Sequence, residues 1–590
     1  MAPEKAPREV EDCRCLLKGM AKNLADRCYG PDGPPWGTPF GTLEDVAVHL
    51  SDSLRKSFLD LLLSRQASVF HLNPPAPLCL CPSCGRDTLP KDPEPRLLFC
   101  RAATLEWCEP QRYCSKCRKA FFPQSKSLGI DTGHYSTSLL NLICFAGANL
   151  PSFREASVDL DKLSGQAVHE KQVERLCKRI GSERLDERDQ QVADFLALPL
   201  TQRKDGVPEG VTPPDNDHVA VIMTDAGMLQ LRALADSDAD DSDSAQAAKP
   251  EQTAESTSEA LAESDALPGH SDADEANGDD PDQDRPPSGR HWREDKVGLV
   301  LLMRSAVSQT DPCPEIPDTF VDAELVGRIV RGMKKSAALQ AEDQGVEAEA
   351  EGVADSQQEP EKATYEGPKL KERRVVASRQ SWPLFGGLLA CAAWLAGFAK
   401  AERKAFVADG ARAIWGVWRA RFSSYVPILD FIHAMTYVYA AAKAVGEDGA
   451  IGWKLYAEWI TWTWQGKVSL VIEKLEEWQQ ANGEPQKGES TTSVRSVVAR
   501  TLGYLRNNAD KMKYDEYRKK GLPIVSSLVE SMVKQISRRV KGTEKFWGEE
   551  GAEAILQLRA DYLSDGDVMA GFWQRRQAAA TGQRFYKPRS

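Results

Sequence analysis

Two stretches of this sequence are excluded from any hydrophobic core, so whatever sheet the chain builds has to be assembled around them. Residues 236–284 hold 17 acidic residues against a single base, Lys249, among Ala, Ser, Gly and Pro. Residues 342–361 hold 8 acids and no base, with Val346 and Val353 as their only branched apolar side chains. Neither stretch can bury enough apolar surface to offset the entropy of ordering it, and the segments 234–290 and 339–370 therefore read as disordered, solvated connections. They also disguise the charge of the rest. The two tracts carry −16 and −8 of a formal net charge of −12, which leaves the remaining chain at +12. A basic remainder suits a partner with a phosphate backbone, although dispersed Lys and Arg also serve simply to solvate a surface.

At 590 residues the chain exceeds one ordinary core and is expected to form several modules. Residues 1–75 look helical, with Leu43, Val46, Ala47, Leu50, Leu54, Phe58, Leu61 and Leu62 near helical spacing. Residues 76–125 turn to cysteine, proline and short aromatic runs. There Cys81-Pro-Ser-Cys84 and Cys114-Ser-Lys-Cys117 form two knuckles with 29 residues between them. Two thiolates from each complete a tetrahedral shell with no water position, the donor set of a structural zinc ribbon. Cys79, Cys100 and Cys108 lack paired spacing and read as packing residues or spare ligands. The sequence places no secretory signal at its start, so the 14 cysteines are assigned to a reducing compartment.

Residues 126–205 return to a helical pattern. Ser152–Ser164 and Val168–Gly181 are two short helices separated by Ser-Gly, the second bearing Lys171, Arg175, Lys178 and Arg179. This is the layout of a DNA-binding helix-turn-helix, and equally of a plain helical hairpin with a solvated face. The uncharged run 382–399 reaches the lower limit for a membrane span but is rich in small residues, and a buried core helix is the preferred reading.

Strand signals begin at His218. The apolar run Val219–Thr224 suits a central strand, Gly227 permits a turn, and Leu229 and Leu231 restart the alternation. Lys296–Arg304 supplies another strand after the first acidic tract, and residues 404–408 and Tyr425–Leu429 two more after the helix at 382–399. Three strands, a helix, a strand, and a strand running into a helix are the order of a ribonuclease-H-like mixed sheet. Residues 215–430 and 522–580 are accordingly expected to form one α/β core. Between them, residues 431–521 read as an all-helical insertion whose Trp453, Trp459, Trp462, Trp464 and Trp478 form an aromatic core or a stacking surface.

Three carboxylates stand out against this frame. Asp225 ends the first apolar run, Asp409 follows 404–408, and Glu530 lies on a helix whose Val529, Met532, Val533 and Ile536 form an apolar stripe. Two strand ends and one helix face can gather acids around hard divalent ions. That arrangement suits phosphodiester cleavage or transfer by a nuclease or strand-transferase. Lys534, Arg538, Arg539 and Lys541 follow Glu530 closely enough to hold DNA phosphates, or to be ordinary solvated charge.

Several ordered motifs resemble one family. The run Asp225–Arg232, the pair Val407–Ala411 and Ile428–Ala434, and the block Gly521–Ser531 resemble DDE transposases of the ISKra-type bacterial insertion sequences, relatives of the Mutator superfamily. The cysteine knuckles, Phe122-Pro123, Leu128-Gly129, Trp292-Arg293-Glu294 with Lys296–Gly298, Arg539–Gly542 and Glu550–Ile555 extend the resemblance over roughly residues 80 to 575. It implies metal-dependent DNA cleavage and strand transfer at the element's ends, with Asp225, Asp409 and Glu530 as catalytic acids holding Mg2+ or Mn2+. Asp430 and His433 match an accompanying Asp-x-x-His element, and Asp430 is the rival of Asp409 as second metal ligand. The resemblance further implies DNA ends and target as partners, a homo-oligomer on paired ends, no membrane, and a bacterial cytoplasm with the protein at the nucleoid. One departure is local: the family's glycines around the serine ahead of the glutamate are Val525 and Ser527 here.

Overall fold

The computed structural model describes residues 7–101, 103–232, 291–341, 366–447, 449–542 and 545–584. Both acidic tracts lie outside these residues. At the edges of the segment expected to be disordered, residues 339–341 end a helix and residues 369–370 begin a strand. The chain divides into two compact units, Met1–Ile180 with Gly566–Ser590, and Gly181–Asp565.

The first unit begins with two long helices, α1 (Pro7–Tyr29) and α2 (Phe40–Leu72). They lead into an antiparallel sheet of β1 (Leu89–Phe99), β2 (Thr104–Cys114) and β3 (Lys119–Phe121). Leu59 and Leu63 of α2 close over Leu98, Leu105, Trp107 and Ile130. Gln124, in the one-turn helix α3 (Pro123–Ser127), ties this core together. It accepts from the Trp107 indole at 3.0 Å and donates to the Leu63 carbonyl at 2.9 Å. Then follow α4 (Thr137–Asn149), α5 (Phe153–Ser164) and α6 (Glu170–Ala197), with Gly165 in the left-handed conformation at φ 64° closing α5. The expected helix pair is thus present as α5 and the start of α6. Three of its four bases are paired, however: Arg179 with Asp131 at 2.8 Å, and Lys178 and Lys171 with Glu174 at 2.7 and 3.8 Å. Lys171 and Arg175 remain exposed.

The second unit continues from the end of α6 through α7 (Leu200–Asp205) into β4 (His218–Leu231), β5 (Trp292–Arg304), α8 (Ala323–Ala341) and β6 (Lys369–Ser378). Next come α9 (Trp382–Leu395), β7 (Arg403–Ala408), α10 (Arg412–Arg421) and β8 (Val426–Leu429). The strands form one mixed sheet in the order β6-β5-β4-β7-β8. β4 is antiparallel to β5 and parallel to β7, so the sheet numbered by its own strands runs 3-2-1-4-5. Val219–Met223 are all fully buried, as a strand covered on both faces requires. The turn expected at Gly227 is absent: β4 runs unbroken for 14 residues, and a Cβ at Gly227 would lie 3.0 Å from both carboxylate oxygens of Asp295. The glycine serves close approach, not reversal.

One face of the sheet carries α9, where the missing side chain of Gly298 admits Leu389 and Phe385. No helix among the described residues is long and apolar enough to cross a membrane, and the run 382–399 folds as the 14-residue α9 followed by a 3-10 turn at Phe398–Lys400.

Beyond β8 lie α11 (Phe431–Val445), α12 (Ala450–Trp464), α13 (Val468–Asn482), α14 (Val494–Asn508) and α15 (Tyr514–Lys519). Trp459 and Trp464 are buried in this helical layer, while Trp453, Trp462 and Trp478 are half-buried. The chain then forms α16 (Ser527–Val540), packed on β4 and β5, a short β9 (Phe546–Trp547) beside the end of β4, and α17 (Glu549–Leu563) against β6.

From Gly566 onward the residues belong to the first unit, although the sequence suggested that the sheet domain extends to 580. There α18 (Val568–Ala578) brings Arg576 to 2.8 Å from Asp131. Burial opposes ionisation of Asp131, but Arg179 and Arg576 hold its carboxyl down at about 2. Further on, the Phe122 N–H donates to the Gly582 carbonyl at 2.7 Å, and Arg584 reaches the fully buried Glu109 at 2.6 Å.

Candidate metal centres

The first centre is made of thiols. Cys81 and Cys84 flank the turn before β1, where Gly85 (φ 69°) reverses the chain, and Cys114 and Cys117 flank the turn between β2 and β3. Their four sulfurs lie within 4.8 Å of one another, with Cys81 to Cys117 at 3.9 Å and Cys84 to Cys114 at 3.6 Å. A tetrahedral shell with metal–sulfur bonds of about 2.3 Å separates its sulfurs by roughly 3.8 Å, so the spacing fits a bound ion. Burial raises the Cys81 thiol, but the backbone N–H groups of Ser83 and Cys84 outweigh it and bring the thiol to about 7. The Cys84 thiol beside Cys117, with burial and the other two thiols, pushes Cys117 up to about 12. Four crowded thiols do not all ionise without a cation. Cys79, Cys100 and Cys108 are not part of the group.

The second centre is acidic. Met223, Val407 and Ile428 form one row across the parallel strands β4, β7 and β8. Asp225 stands two residues further along β4, and Asp409 and Asp430 directly follow the last residues of β7 and β8, which brings the three acids to the carboxyl ends of those two strands. Glu530 comes to the same end from the first turn of α16. The tightest group of ligand atoms is Asp430, His433 and Glu530, within 4.8 Å of one another. Asp225 and Asp409 lie outside that group but within electrostatic reach of it. Burial, with the charges of Asp409 and Glu530, raises the Asp225 carboxyl to about 6. Burial and the charge of Asp430 also raise Glu530, against the opposing effect of His433 and Lys534. Burial works against a charged His433, yet Asp430, Asp409 and Glu530 lift it to about 9. Acids pressed together in this way are the donor set of a hard divalent cation.

Asp409 and Asp430, the two candidates for the middle acid, differ in what already binds them. Asp430 is fully buried and caps α11. Its Oδ1 accepts from the His433 N–H at 2.8 Å and lies 3.2 Å from His433 Nδ1, and its Oδ2 accepts from the Ser526 N–H. Burial alone would raise this carboxyl, but those contacts lower it. Asp409 is half-buried and receives one bond, from the Ala411 N–H at 2.9 Å to Oδ1. Asp430 is thus spent mainly on holding two segments together, and Asp409 is the more open to an ion. The Ser526 bond is made by a backbone N–H, so the side chains of Val525 and Ser527 on either side take no part in it.

The basic residues after Glu530 do not share one role. Lys534 and Arg538 are exposed. Arg539 is 2% exposed with its guanidinium 5.1 Å from the Trp547 ring centre, which removes it from any phosphate-facing set. Lys541 lies over Trp292 at 5.2 Å. One contact that sequence reasoning missed is the Tyr504 hydroxyl, which donates to the Asp409 carbonyl at 2.7 Å. Tyr504 is 95 residues away in the helical layer, and its only local sign is Gly410, where a Cβ would meet the ring at 2.8 Å.

A scan against protein-family models and a search of curated proteins found nothing that matches this chain.

Proposed function

We propose that the chain is a DDE-type DNA transposase that cleaves DNA strands at the ends of an insertion sequence and transfers them to a target. The observation that carries this reading is the gathering of Asp225 on β4, Asp409 just past β7 and Asp430 just past β8, with Glu530 and His433 brought beside them from two helices. The 3-2-1-4-5 strand order supports a ribonuclease-H-like core, and the thiol spacing supports a zinc ribbon with a structural Zn2+ on Cys81, Cys84, Cys114 and Cys117.

Asp225, Asp409 and Glu530 would hold Mg2+ or Mn2+, which supply Lewis-acid stabilisation of phosphate charge and an activated nucleophile. Asp430 positions the start of α16, and with it Glu530, through the Ser526 N–H. His433 stands 4.0 Å from Glu530 Oε1, and Asp430, Asp409 and Glu530 favour its charged form. Lys534, Arg538 and Lys541, with Lys171 and Arg175, supply phosphate contacts in a chain whose remainder is basic. The protein acts in this reading as a homo-oligomer on paired DNA ends in the bacterial cytoplasm.

The purified chain with Mg2+ or Mn2+, given DNA carrying the repeats that flank its gene, is expected to nick and join strands. Asp225→Asn is expected to lower that rate by more than about 100-fold while leaving DNA binding in place. Binding without cleavage with either metal would support instead a transposase-derived DNA-binding protein.

A further inference from the structure

Tyr437 and Tyr504 lie face to face beside the acidic centre, with ring centroids 3.8 Å apart and planes 9° from parallel. Neighbouring aromatic pairs are by contrast tilted or edge-on, as in Phe431 with Trp464 and Tyr514, and Phe406 with Trp415. Aromatic pairs favour offset or edge-to-face contact at larger separations, so a close, parallel pair is one that its surroundings impose. Both rings are held. Tyr504 is fixed by its hydroxyl on the Asp409 carbonyl and by Gly410, whose φ of 104° and bare Cα allow the ring to sit against the backbone. Tyr437 is one helical turn after His433 on α11, on the same side of that helix.

The pair is not wholly enclosed: Tyr437 is only half-buried. A flat ring at the edge of a centre that handles phosphodiesters offers a surface on which a base can lie. Within a duplex both faces of a base are already stacked, so only an unpaired base can use it.

We infer that Tyr437, backed by Tyr504, is a stacking platform for one unpaired base next to the phosphodiester at the acidic centre. The substrate is then DNA with a single-stranded or flipped-out nucleotide at the reacting position. The inference rests on the reading of that centre as one that acts on nucleic acid. Tyr437 is a positioning residue in it; the chemistry belongs to the acids.

The test is binding of the full chain, measured by fluorescence anisotropy in Ca2+, to a labelled 20-nucleotide oligothymidine and to a 20-base-pair duplex. Tyr437→Leu keeps an apolar side chain against Tyr504 but removes the ring. It is expected to weaken single-strand binding by about 10-fold, within the range for loss of one base–aromatic stack, and duplex binding by less than about 2-fold. Tyr437→Trp is expected to restore the single-strand value. Equal weakening of both, no weakening of either, or failure of Trp to restore would overturn the platform. Photocrosslinking of the unaltered chain to a 5-iodouracil-substituted single strand is independent of how the variants fold. Attachment at Tyr437 supports the inference and attachment only elsewhere overturns it. Selective loss in Tyr437→Leu by a protein that never cleaves DNA would leave the platform standing and remove the transposase reading. Cleavage by a chain whose Tyr437→Leu variant shows no selectivity would do the reverse, and a chain that binds neither DNA overturns both.

Discussion

Asp295 shows how one residue can be invisible in sequence and decisive in the fold. It is fully buried in β5, and no other described residue donates a hydrogen bond to either of its carboxylate oxygens. It occupies the space left open by Gly227, two rungs of the ladder from Asp225. Burial pushes its carboxyl up to about 7, against the pull of Lys296 and Lys541. An unfolded aspartate ionises near pH 4, so between about pH 4 and 7 the unfolded chain has given up a proton that the folded chain retains. Stability therefore falls as pH rises through that window. Asp295→Asn removes the penalty. Its melting temperature is expected to match the parent's near pH 4 and to exceed it at pH 8, where the displacement corresponds to roughly 4 kcal/mol as an upper figure. A difference that is constant with pH would show that Asp295 is not the titrating group. Residue-scale misreadings share a cause: Gly227 looked like a turn because the atoms that need its bare Cα come from a strand 68 residues later. Arg539 looked like a DNA contact because the Trp547 ring that buries it lies after the helix ends.

At the scale of elements, the capping of α11 links two segments that the sequence keeps about 96 residues apart. Asp430 satisfies the first turn of α11 through the His433 N–H and fixes the start of α16 through the Ser526 N–H. Asp430→Ala leaves both donors buried without a partner and is expected to cost about 3 kcal/mol in the denaturant midpoint of unfolding, more than a solvent-exposed cap would. Asp430→Asn retains a cap oxygen and is expected to fall between Ala and the parent. Most of the sheet was legible in sequence because β4, β5, β7 and β8 are covered on both faces and read as continuous apolar runs. β6 was not. Its Lys369-Leu-Lys-Glu-Arg-Arg374 is the charged half of an edge strand, and only Val375, Ala377 and Ser378 are buried, so in sequence it merges with the acidic tract before it. The acidic site was legible as residue types at strand ends. That Asp409 and Asp430 directly follow a pair of matched strand ends, Ala408 and Leu429, and that one of them is already occupied by backbone donors, depended on pairing that no local pattern encodes.

For the whole molecule, the charge split sets the terms of any encounter with nucleic acid: a remainder of +12 is masked by tracts inserted between the first two sheet strands and ahead of the third. The first of these insertions leaves and re-enters the sheet at a single point. Gln230 pairs with Trp292, and the Leu231 N–H donates to the His291 carbonyl at 2.8 Å, so residues 232–290 begin and end on neighbouring rungs of one antiparallel ladder. Closing a long loop costs about 0.6 kcal/mol for each doubling of its length. Exchanging residues 234–289 for a short Asn/Gly turn is therefore expected to raise stability by roughly 2 kcal/mol without shifting the register of β4 and β5. A drop in melting temperature would mean that the segment packs on the sheet. The same ladder point has a practical reading. It behaves as a socket whose two contacts are wired to each other, where a foreign domain with adjacent termini could be plugged in or withdrawn while Asp225, five rungs back along the ladder, keeps its place.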